Sequence, residues 1–336
     1  MDYSSISSKK PAEDDEPEYD PKLMLLSWYD SDLNLKINKA NFLEAEPMHN
    51  EGFAFIWAGA RASFGVTGGM SYFEVKVNLQ YDVYCELQLE KYLDVSHLIN
   101  EESPHVVRVG WSVPSASMQL ALSFGYGGTG KVSCNNKFRD YGGTFQEGDV
   151  VTVYLDMSTP VVRMSFAVNG KDFGVAFEVP IEKLENKPLF PHVITKNCKF
   201  CCNFGSEKPS FPVNEGFVPV SALKEDQLVA GPKRPEKRSD CEMIMLCGLP
   251  GCGKTMWASK YAAKHPERNY NILGTNNLID KMRVMGLNRR RNYAGRWDEL
   301  IKQCTNCLNH LLTVASGRRR NYILDQVCQT VITLVS

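Results

Sequence analysis

The sequence has no apolar run near the ~20 residues that a membrane-spanning helix requires, and its last apolar stretch, VITLV, is far too short. No membrane partner is therefore expected. The sequence also has no secretory leader at Met1, and its eleven cysteines show no regular spacing. Because secreted disulfide-rich chains use ordered cysteine spacing, this pattern predicts a reducing compartment.

Overall charge is nearly balanced, at −1, but the two ends of the chain differ. From Cys241 to Ser336, fourteen Lys and Arg stand against six Asp and Glu, which leaves −9 on the first 240 residues. A basic second part predicts contact with a polyanion there. The alternative is that these basic residues only solvate helices.

Composition divides the chain into four segments. Residues 1–20 are polar and acidic, which predicts disorder, and residues 21–221 contain short strands separated by turn residues. Residues 222–240 are rich in Pro, Gly and alternating charge, which is typical of a linker. Residues 241–336 alternate apolar runs with helical patterns, which is typical of an α/β domain.

Strand signals in the second segment predict an antiparallel β-sandwich. In YFEVKV, Phe73, Val75 and Val77 alternate with polar residues, as expected for a strand with one buried face. Asn169-Gly170 lies between two apolar runs and predicts a type I′ hairpin. Many short strands with little helix between them are typical of a sandwich.

Two glycine-rich stretches match the start of the phosphate-binding pattern G-x-x-x-x-G-K-[ST]. The first, GYGGTGKVS, begins at Gly125, but it has Val132 in the last position and no helix after it. Valine offers no hydroxyl to magnesium, and a P-loop needs the positive end of a helix at the phosphates. We therefore expect this stretch to be a bend in the sandwich.

The second stretch, GLPGCGKTM, has every part of a P-loop. EMIML predicts the strand before it and KTMWASKYAAKH the helix after it. NYILDQ predicts another buried strand that ends in an acid able to hold the magnesium shell. The predicted nucleotide-binding residues are Gly248, Gly251, Cys252, Gly253, Lys254, Thr255 and Asp325, with Thr255 and Asp325 meeting Mg²⁺ only through the nucleotide.

The strand motifs VTGGMSYFEVKV, VRVGWS, GDVVTVYLDM, SFAVNGKDFGVAFE and PLFPHV, taken in order, resemble a SPRY domain. A SPRY domain followed by this P-loop resembles the heterogeneous nuclear ribonucleoprotein U family. MRVMGLNRRRNYAGRWDELI is most similar to its U-like protein 1 branch. The fold class expected is β plus α/β: an antiparallel SPRY-type β-sandwich followed by an incomplete P-loop NTPase-like α/β domain.

The resemblance implies a nuclear protein that binds RNA, binds nuclear proteins through the SPRY domain, and acts in transcription and mRNA processing. Family members commonly add a SAP domain and an Arg-Gly-Gly-rich tail, and they continue after ILDQ differently from the VCQTVITLVS of this chain. An isoform, a frameshift and a fragment would each explain that difference. A pure protein-interaction module with an inert P-loop is a further alternative.

The P-loop region also resembles phage-type polynucleotide kinases, which place acids after the motif NIN. Here NILGTNN puts Thr275, Asn276 and Asn277 in that stretch, and none is a base at neutral pH, whereas Asp280 comes later. We therefore expect no catalytic residue, although an ATP-dependent nucleic-acid kinase stays an alternative. ATP with Mg²⁺ is the expected cofactor, but a sheet that stops soon after Asp325 favours weak or absent binding.

Clustered arginines and rings predict an RNA-contacting surface, because arginine pairs with phosphate and rings stack on unpaired bases. The alternative is that these arginines and rings form a solvated helical turn. The cysteines of CKFCC and CTNC imitate zinc spacing but fall in different domains, so no structural metal is expected. The predicted RNA contacts are Arg289, Arg290, Arg291, Tyr293, Arg296 and Trp297.

Overall fold

Two antiparallel sheets pack face to face over one hydrophobic core in the first two thirds of the chain. The structure is a computed structural model that describes residues 14–79, 104–114, 122–282 and 297–326. Phe73 of one sheet meets Trp111 of the other edge to face, with ring centroids 5.2 Å apart, and both side chains are fully buried. The predicted β-sandwich is confirmed.

The first sheet has seven strands. In spatial order they are β1 (Leu26–Ser31), β4 (Ala58–Ala62), β14 (Phe190–Lys196), β7 (Val106–Ser112), β8 (Ser123–Gly127), β9 (Lys131–Cys134) and β10 (Lys137–Asp140). The second sheet has eight: β13 (Lys171–Pro180), β12 (Val161–Val168), β11 (Val150–Met157), β6 (Gly69–Leu79), β15 (Cys198–Asn203), β3 (Glu44–Pro47) and β2 (Leu35–Ile37), with β16 (Val218–Pro219) beside β6.

Strand β6 shows how alternation and burial combine. Phe73, Val75 and Val77 point into the core, as the alternation predicts. The opposite face is not simply solvated, because Tyr72 packs against Tyr154 and only 2% of Glu74 is exposed. The Glu74 carboxylate accepts the backbone N–H of Ser210 at 3.0 and 3.1 Å, which offsets the cost of burying its charge.

Turns in the sandwich follow the sequence closely. β12 and β13 are joined by Asn169 and Gly170, which have φ angles of 50° and 80°. Both values are positive, as a type I′ turn requires, so the predicted hairpin is confirmed. The stretch that begins at Gly125 joins the paired strands β8 and β9, and no helix follows it. The first glycine-rich stretch is therefore a bend in a β-sheet, as expected.

Part of segment 222–240 lies against the sandwich. β17 (Leu228–Ala230) pairs with β5 (Phe64–Val66), and Arg234 forms an ion pair with Glu16 at 2.8 Å. Short 3₁₀ turns occur at Ile181–Leu184, Val220–Ala222, Glu225–Gln227, Arg238–Asp240 and Pro266–Arg268. The division into four segments stays a prediction.

The last part of the described chain is a parallel three-stranded sheet with helices. Its strands are β18 (Met243–Met245), β20 (Tyr322–Leu324) and β19 (Asn271–Leu273), in that spatial order. The helices are α1 (Lys254–Lys264), α2 (Thr275–Lys281) and α3 (Trp297–Ser316). This strand, loop, helix and strand order is the predicted α/β organisation.

The two parts share a hydrophobic cluster. A 3₁₀ helix at Glu51–Phe55 brings Phe53 against α3, where its ring meets His310 edge to face at 5.5 Å. A Cβ at Gly52 would lie 3.0 Å from the Cys307 sulfur, so a larger residue would force the turn or the helix to shift. The contact fixes the region from residue 241 onward, called the P-loop half below, against one side of the sandwich.

Candidate nucleotide-binding site

The loop between β18 and α1 has the backbone of a P-loop. Gly251 and Gly253 have φ angles of 78° and 90°, which L-residues with side chains rarely adopt. An added Cβ at either position would meet nothing within 4 Å, so backbone conformation rather than space requires glycine here. Gly253 directly precedes α1, so the free N–H groups of the first helical turn face the loop.

Lys254 begins α1 and reaches back across the loop. Its ammonium donates to the carbonyls of Gly248 at 2.9 Å and Leu249 at 2.8 Å, and it lies 3.8 Å from the sulfur of Cys252. A positive charge is thus held at the mouth of the loop beside the helix N-terminus. Both features favour an anion, and a phosphate would take the place of the carbonyl contacts.

Thr255 and Asp325 come from distant parts of the chain and meet at this site. The Thr255 hydroxyl donates to a carboxylate oxygen of Asp325 at 2.6 Å, a short charge-assisted bond. Only 5% of Asp325 is exposed, and it lies directly after the end of β20. A hydroxyl and a carboxylate are hard oxygen donors of the kind Mg²⁺ prefers, so this pair fits the metal of a bound nucleotide.

Two residues that sequence reasoning missed support Asp325. Gly274 passes so close that a Cβ there would lie 2.2 Å from the Asp325 carbonyl oxygen. Gln326 accepts from the backbone N–H and the hydroxyl of Thr275, at 3.3 and 3.2 Å. The only sequence signal was a glycine directly before a helix, which by itself does not reveal a contact with a strand fifty residues away.

The strand that carries Asp325 is the central strand of its sheet. β20 pairs with β18 on one side and β19 on the other, with Ile323 fully buried between Ile244 and Ile272. The strands before and after α1 flank β20, so its backbone is paired on both sides without any later strand. β18 has a neighbour on one side only in the described sheet. The expected effect of this short sheet on nucleotide binding stays a prediction.

The prediction that the apolar run EMIML forms a buried strand needs correction. Met243 and Met245 of β18 are 56% and 46% exposed. They lie on the same face as Tyr322 and Leu324, which α3 covers, but β18 is an edge strand of the described sheet, away from the contacts with α3. A continuous apolar run thus indicated the strand but not its burial.

The stretch where related kinases place their acids is neutral here. The Thr275 hydroxyl bonds to Gln326, and the Asn277 amide donates to the carbonyl of Ile272 at 3.2 Å. Asp280 lies in the last turn of α2. None of the three residues Thr275, Asn276 and Asn277 can remove a proton from an attacking hydroxyl.

Comparisons with known proteins find two domain families in the chain. Residues 91–207 match the SPRY domain family, and residues 243–331 match an AAA domain family. Heterogeneous nuclear ribonucleoprotein U-like protein 2 is 39% identical in mouse over 313 residues, which is 91% of this chain and 40% of that protein. The human protein is 37% identical over 332 residues, which is 96% of this chain and 42% of that protein.

The resemblance to the heterogeneous nuclear ribonucleoprotein U family is confirmed. The chain spans about two fifths of the length of these U-like relatives. Because the relatives named are U-like protein 2, the narrower placement on the U-like protein 1 branch stays a prediction. An ATP-dependent RNA helicase, DDX1 of Xenopus laevis, is 35% identical over 203 residues, which is 60% of this chain and 23% of the helicase.

The RNA contacts predicted for this chain are not placed by the structure. Arg289, Arg290, Arg291, Tyr293 and Arg296 lie outside the described residues. Trp297 begins α3, but its side chain also lies outside them. The prediction of an RNA surface there stays a prediction.

The cysteines of CKFCC and CTNC do not come together. Along β15, Cys198 and Cys202 face the core of the sandwich, while Cys201 faces the other side. Cys304 and Cys307 belong to α3 and are buried in a separate cluster. Burial raises the pKa of the Cys198 and Cys304 thiols to about 12, which keeps them protonated. Within the described ranges no group of three or more His, Cys, Asp or Glu could hold a metal, and no helix there is long and apolar enough to cross a membrane.

Proposed function

We propose that this chain is an RNA-associated component of nuclear ribonucleoproteins that acts in transcription and mRNA processing. In this proposal the SPRY sandwich binds nuclear proteins, and the P-loop binds the phosphates of ATP with Mg²⁺ without transferring them. The observation that carries the nucleotide part is the 2.6 Å contact of Thr255 with Asp325 beside Lys254. Thr255 and Asp325 offer oxygens to a metal, and Lys254 offers a positive charge to a phosphate, which are the groups that a P-loop uses.

The fold around the loop supports nucleotide binding. Asp325 follows a central, paired strand, and Gly274 and Gln326 fix the backbone next to it. The loop amides and the helix N-terminus need no rearrangement to accept an anion, so little binding energy is lost to ordering. This argument favours retained binding over an inert remnant.

The neutral stretch at Thr275 to Asn277 supports binding without transfer. Attack of a hydroxyl on the outer phosphate benefits from a positioned base, and amide and hydroxyl side chains cannot supply one at neutral pH. ATP would then act as a ligand that stabilises this half of the chain, not as a substrate. By linkage, ATP at 100 times its Kd would add about 2.7 kcal/mol to the free energy of unfolding of that half.

The roles in RNA and protein binding rest on the relatives. Two similar proteins carry ribonucleoprotein in their names, and a third is named an RNA helicase. The SPRY match supports a protein-binding sandwich. The net excess of basic residues from Cys241 onward, fourteen against six acidic ones, supports contact with RNA in the second half.

Titration with a fluorescent ATP analogue and Mg²⁺ tests the nucleotide part. Lys254→Ala should weaken binding at least about tenfold, because a charge-assisted bond to phosphate is worth about 1.5–3 kcal/mol. Lys131→Ala is the matched control, since Lys131 is the lysine of the first glycine-rich stretch and forms an ion pair with Asp140 at 2.5 Å. It should bind like the parent chain.

Two outcomes contradict this proposal in different ways. No binding by the parent chain at millimolar analogue would make the P-loop an inert remnant. RNA-dependent ATP turnover that disappears in Lys254→Ala would make the protein an enzyme.

A further inference from the structure

Helix α1 has an unusually exposed surface for a helix next to a parallel sheet. Of its eleven residues, only Ala258 is buried. Met256 and Trp257 are 62% and 44% exposed, and Leu249 in the preceding loop is 78% exposed. Exposed apolar side chains that cluster in this way mark an interaction site more often than chance placement.

Four rings along this helix and its following turn form a continuous stripe, which we call the aromatic stripe: Trp257, Tyr261, His265 and Tyr270. Trp257 and Tyr261 are stacked, with centroids 4.6 Å apart and planes 15° apart. Tyr261 in turn contacts His265 at 4.6 Å and Tyr270 at 5.6 Å. The spacing of four residues places the first three on one face of the helix.

Trp257 is the outer end of this stripe. One face of its indole is covered by Tyr261, and no other ring or hydrogen-bond partner occurs for it in the part of the chain that the structure describes. The indole is therefore stacked on Tyr261 while 44% of the residue stays exposed. Such a ring offers a flat, pre-positioned surface to a further planar group.

The charges on this helix have one sign. The sequence of α1, KTMWASKYAAK, contains Lys254, Lys260 and Lys264 and no acid, and Arg268 follows in the next turn. Among described residues, Lys260, Lys264 and Arg268 form no ion pair. Two acids contact the stripe, so its cations exceed its acids by two: Glu267 lies 3.4 Å from His265, and Glu242 accepts a hydrogen bond from the Tyr270 hydroxyl. The aromatic stripe therefore lies in a field that attracts a polyanion.

We propose that the aromatic stripe is a binding site for single-stranded RNA. An unpaired base stacks on the open face of Trp257, and Lys260, Lys264 and Arg268 hold the phosphates that flank it. Rings for bases combined with unpaired cations for the backbone are the two elements that single-stranded nucleic acid requires. The site deepens the RNA association proposed above and rests on it.

Charge favours RNA over a protein on this surface. A protein partner would have to bring acids to four cations while also covering exposed rings, whereas a nucleic-acid strand supplies a phosphate and a base in every repeat. The proposed site uses none of the arginines 289–291 and 296, which lie outside the described residues. It lies on the helix that starts at the P-loop.

Fluorescence anisotropy of a labelled ten-nucleotide uridine oligomer, titrated with the full chain, tests this site. Trp257→Ala should weaken binding about 5- to 100-fold, the range given by loss of one base–ring stack. Trp257→Phe should restore part of it, because a smaller ring remains. Met256→Ala is the matched control: Met256 is more exposed than Trp257 on the same helix but is not in the aromatic stripe, so binding should not change.

The charges are tested by salt. In Lys260→Ala/Lys264→Ala the slope of log affinity against log salt concentration should become shallower by about 1.4, since each phosphate contact to a single strand contributes about 0.7. Circular dichroism of each variant shows whether α1 is still folded. Photo-crosslinking of the oligomer should map to the peptide that contains residues 254–264.

Outcomes separate this inference from the proposed function. If the parent chain binds the oligomer and Trp257→Ala binds equally well, the aromatic stripe is not the site, although RNA association stands. If the parent chain does not bind RNA at all, both fail. If Trp257→Ala instead abolishes self-association in sedimentation velocity, the surface is a protein contact and the inference is overturned.

Discussion

The two glycine-rich stretches of this chain have the same spacing of glycines and lysine but opposite structural roles. The first joins antiparallel strands β8 and β9, and its lysine, Lys131, pairs with a neighbouring acid. The second joins a parallel strand to α1, and Lys254 closes over the loop. Glycine spacing alone therefore does not make a phosphate site: the elements before and after it decide.

The largest expected effect on this comparison comes from removing the buried ring of the first stretch itself. Tyr126 is fully buried, and its ring lies 5.1–5.3 Å from those of Tyr141, Phe145 and Phe166. Tyr126→Ala should lower the free energy of unfolding by about 3–5 kcal/mol, measured by urea denaturation. The control Lys131→Ala should change it by less than about 0.5 kcal/mol.

A small effect of Tyr126→Ala would mean that the first stretch is not anchored in the core. A large loss of ATP-analogue affinity in the folded variant would mean that it takes part in nucleotide binding after all. Either result would remove the distinction between the two stretches.

The second stretch can be tested through two glycines with different reasons for being glycine. Gly274→Ala places a methyl group 2.2 Å from the Asp325 carbonyl oxygen although its own backbone is extended, so the strand must shift. We expect a loss of about 3 kcal/mol in the free energy of unfolding, the upper end for overpacking. Gly251→Ala has open space but a φ of 78°, and should cost only about 1–2 kcal/mol.

The nucleotide affinities of the same two variants, measured with the ATP analogue, should differ from each other. Gly274→Ala displaces Asp325, whereas Gly251→Ala distorts the loop itself. Equal stability of Gly274→Ala and the parent chain would show that α2 does not lie against β20 as described.

Local patterns predicted those parts of the fold that depend on neighbours in sequence. Asn169-Gly170 specified its turn because positive φ is a property of those two residues, and EMIML followed by glycines and a helical pattern specified the P-loop. The sequence did not reveal that β18 lies at an edge or that Gly274 touches Asp325. Those facts depend on which strand lies beside which, and that choice is made by long-range packing.

The contact between the two halves was beyond sequence reasoning for the same reason. Phe53 and Cys307 are separated by some 250 residues, and nothing in EGFAF indicates that this turn covers a helix of the P-loop half. Nothing in the sequence of α3 indicates that a turn of the sandwich covers part of its apolar face.

A buried histidine gives the sandwich a dependence of its stability on pH. His192 is 1% exposed, and its ring lies 3.4 Å from the hydroxyl of Ser123, at the start of the strand that leads into the first stretch. Burial, helped by the nearby Arg61 charge, lowers the pKa of His192 to about 3. The unfolded chain, with an ordinary pKa near 6.5, then binds the proton more readily.

Stability of the sandwich should therefore be full above pH 6.5 and fall as the pH drops towards 3. Between pH 6.5 and 4.5 the histidine contributes a loss of about 2 kcal/mol in the free energy of unfolding. Urea denaturation of the parent chain and His192→Gln across this range measures it, since carboxylate titration is common to both. Parallel curves for the two proteins would show that His192 is protonated in the folded state.

The smallest expected difference lies between the cysteines next to the two stretches. Cys252 is exposed inside the P-loop, whereas Cys134 ends β9, is half-buried, and has its pKa raised by burial. Because the thiolate is the reactive form, iodoacetamide at pH 7.5 should modify Cys252 about tenfold faster, as followed by peptide mass spectrometry. ATP with Mg²⁺ should slow the reaction of Cys252 but not that of Cys134. The Cys252 sulfur lies 3.8 Å from the Lys254 ammonium, so phosphates in the loop would cover it. Protection of Cys134 by ATP, or none of Cys252, would place the nucleotide somewhere other than the second stretch.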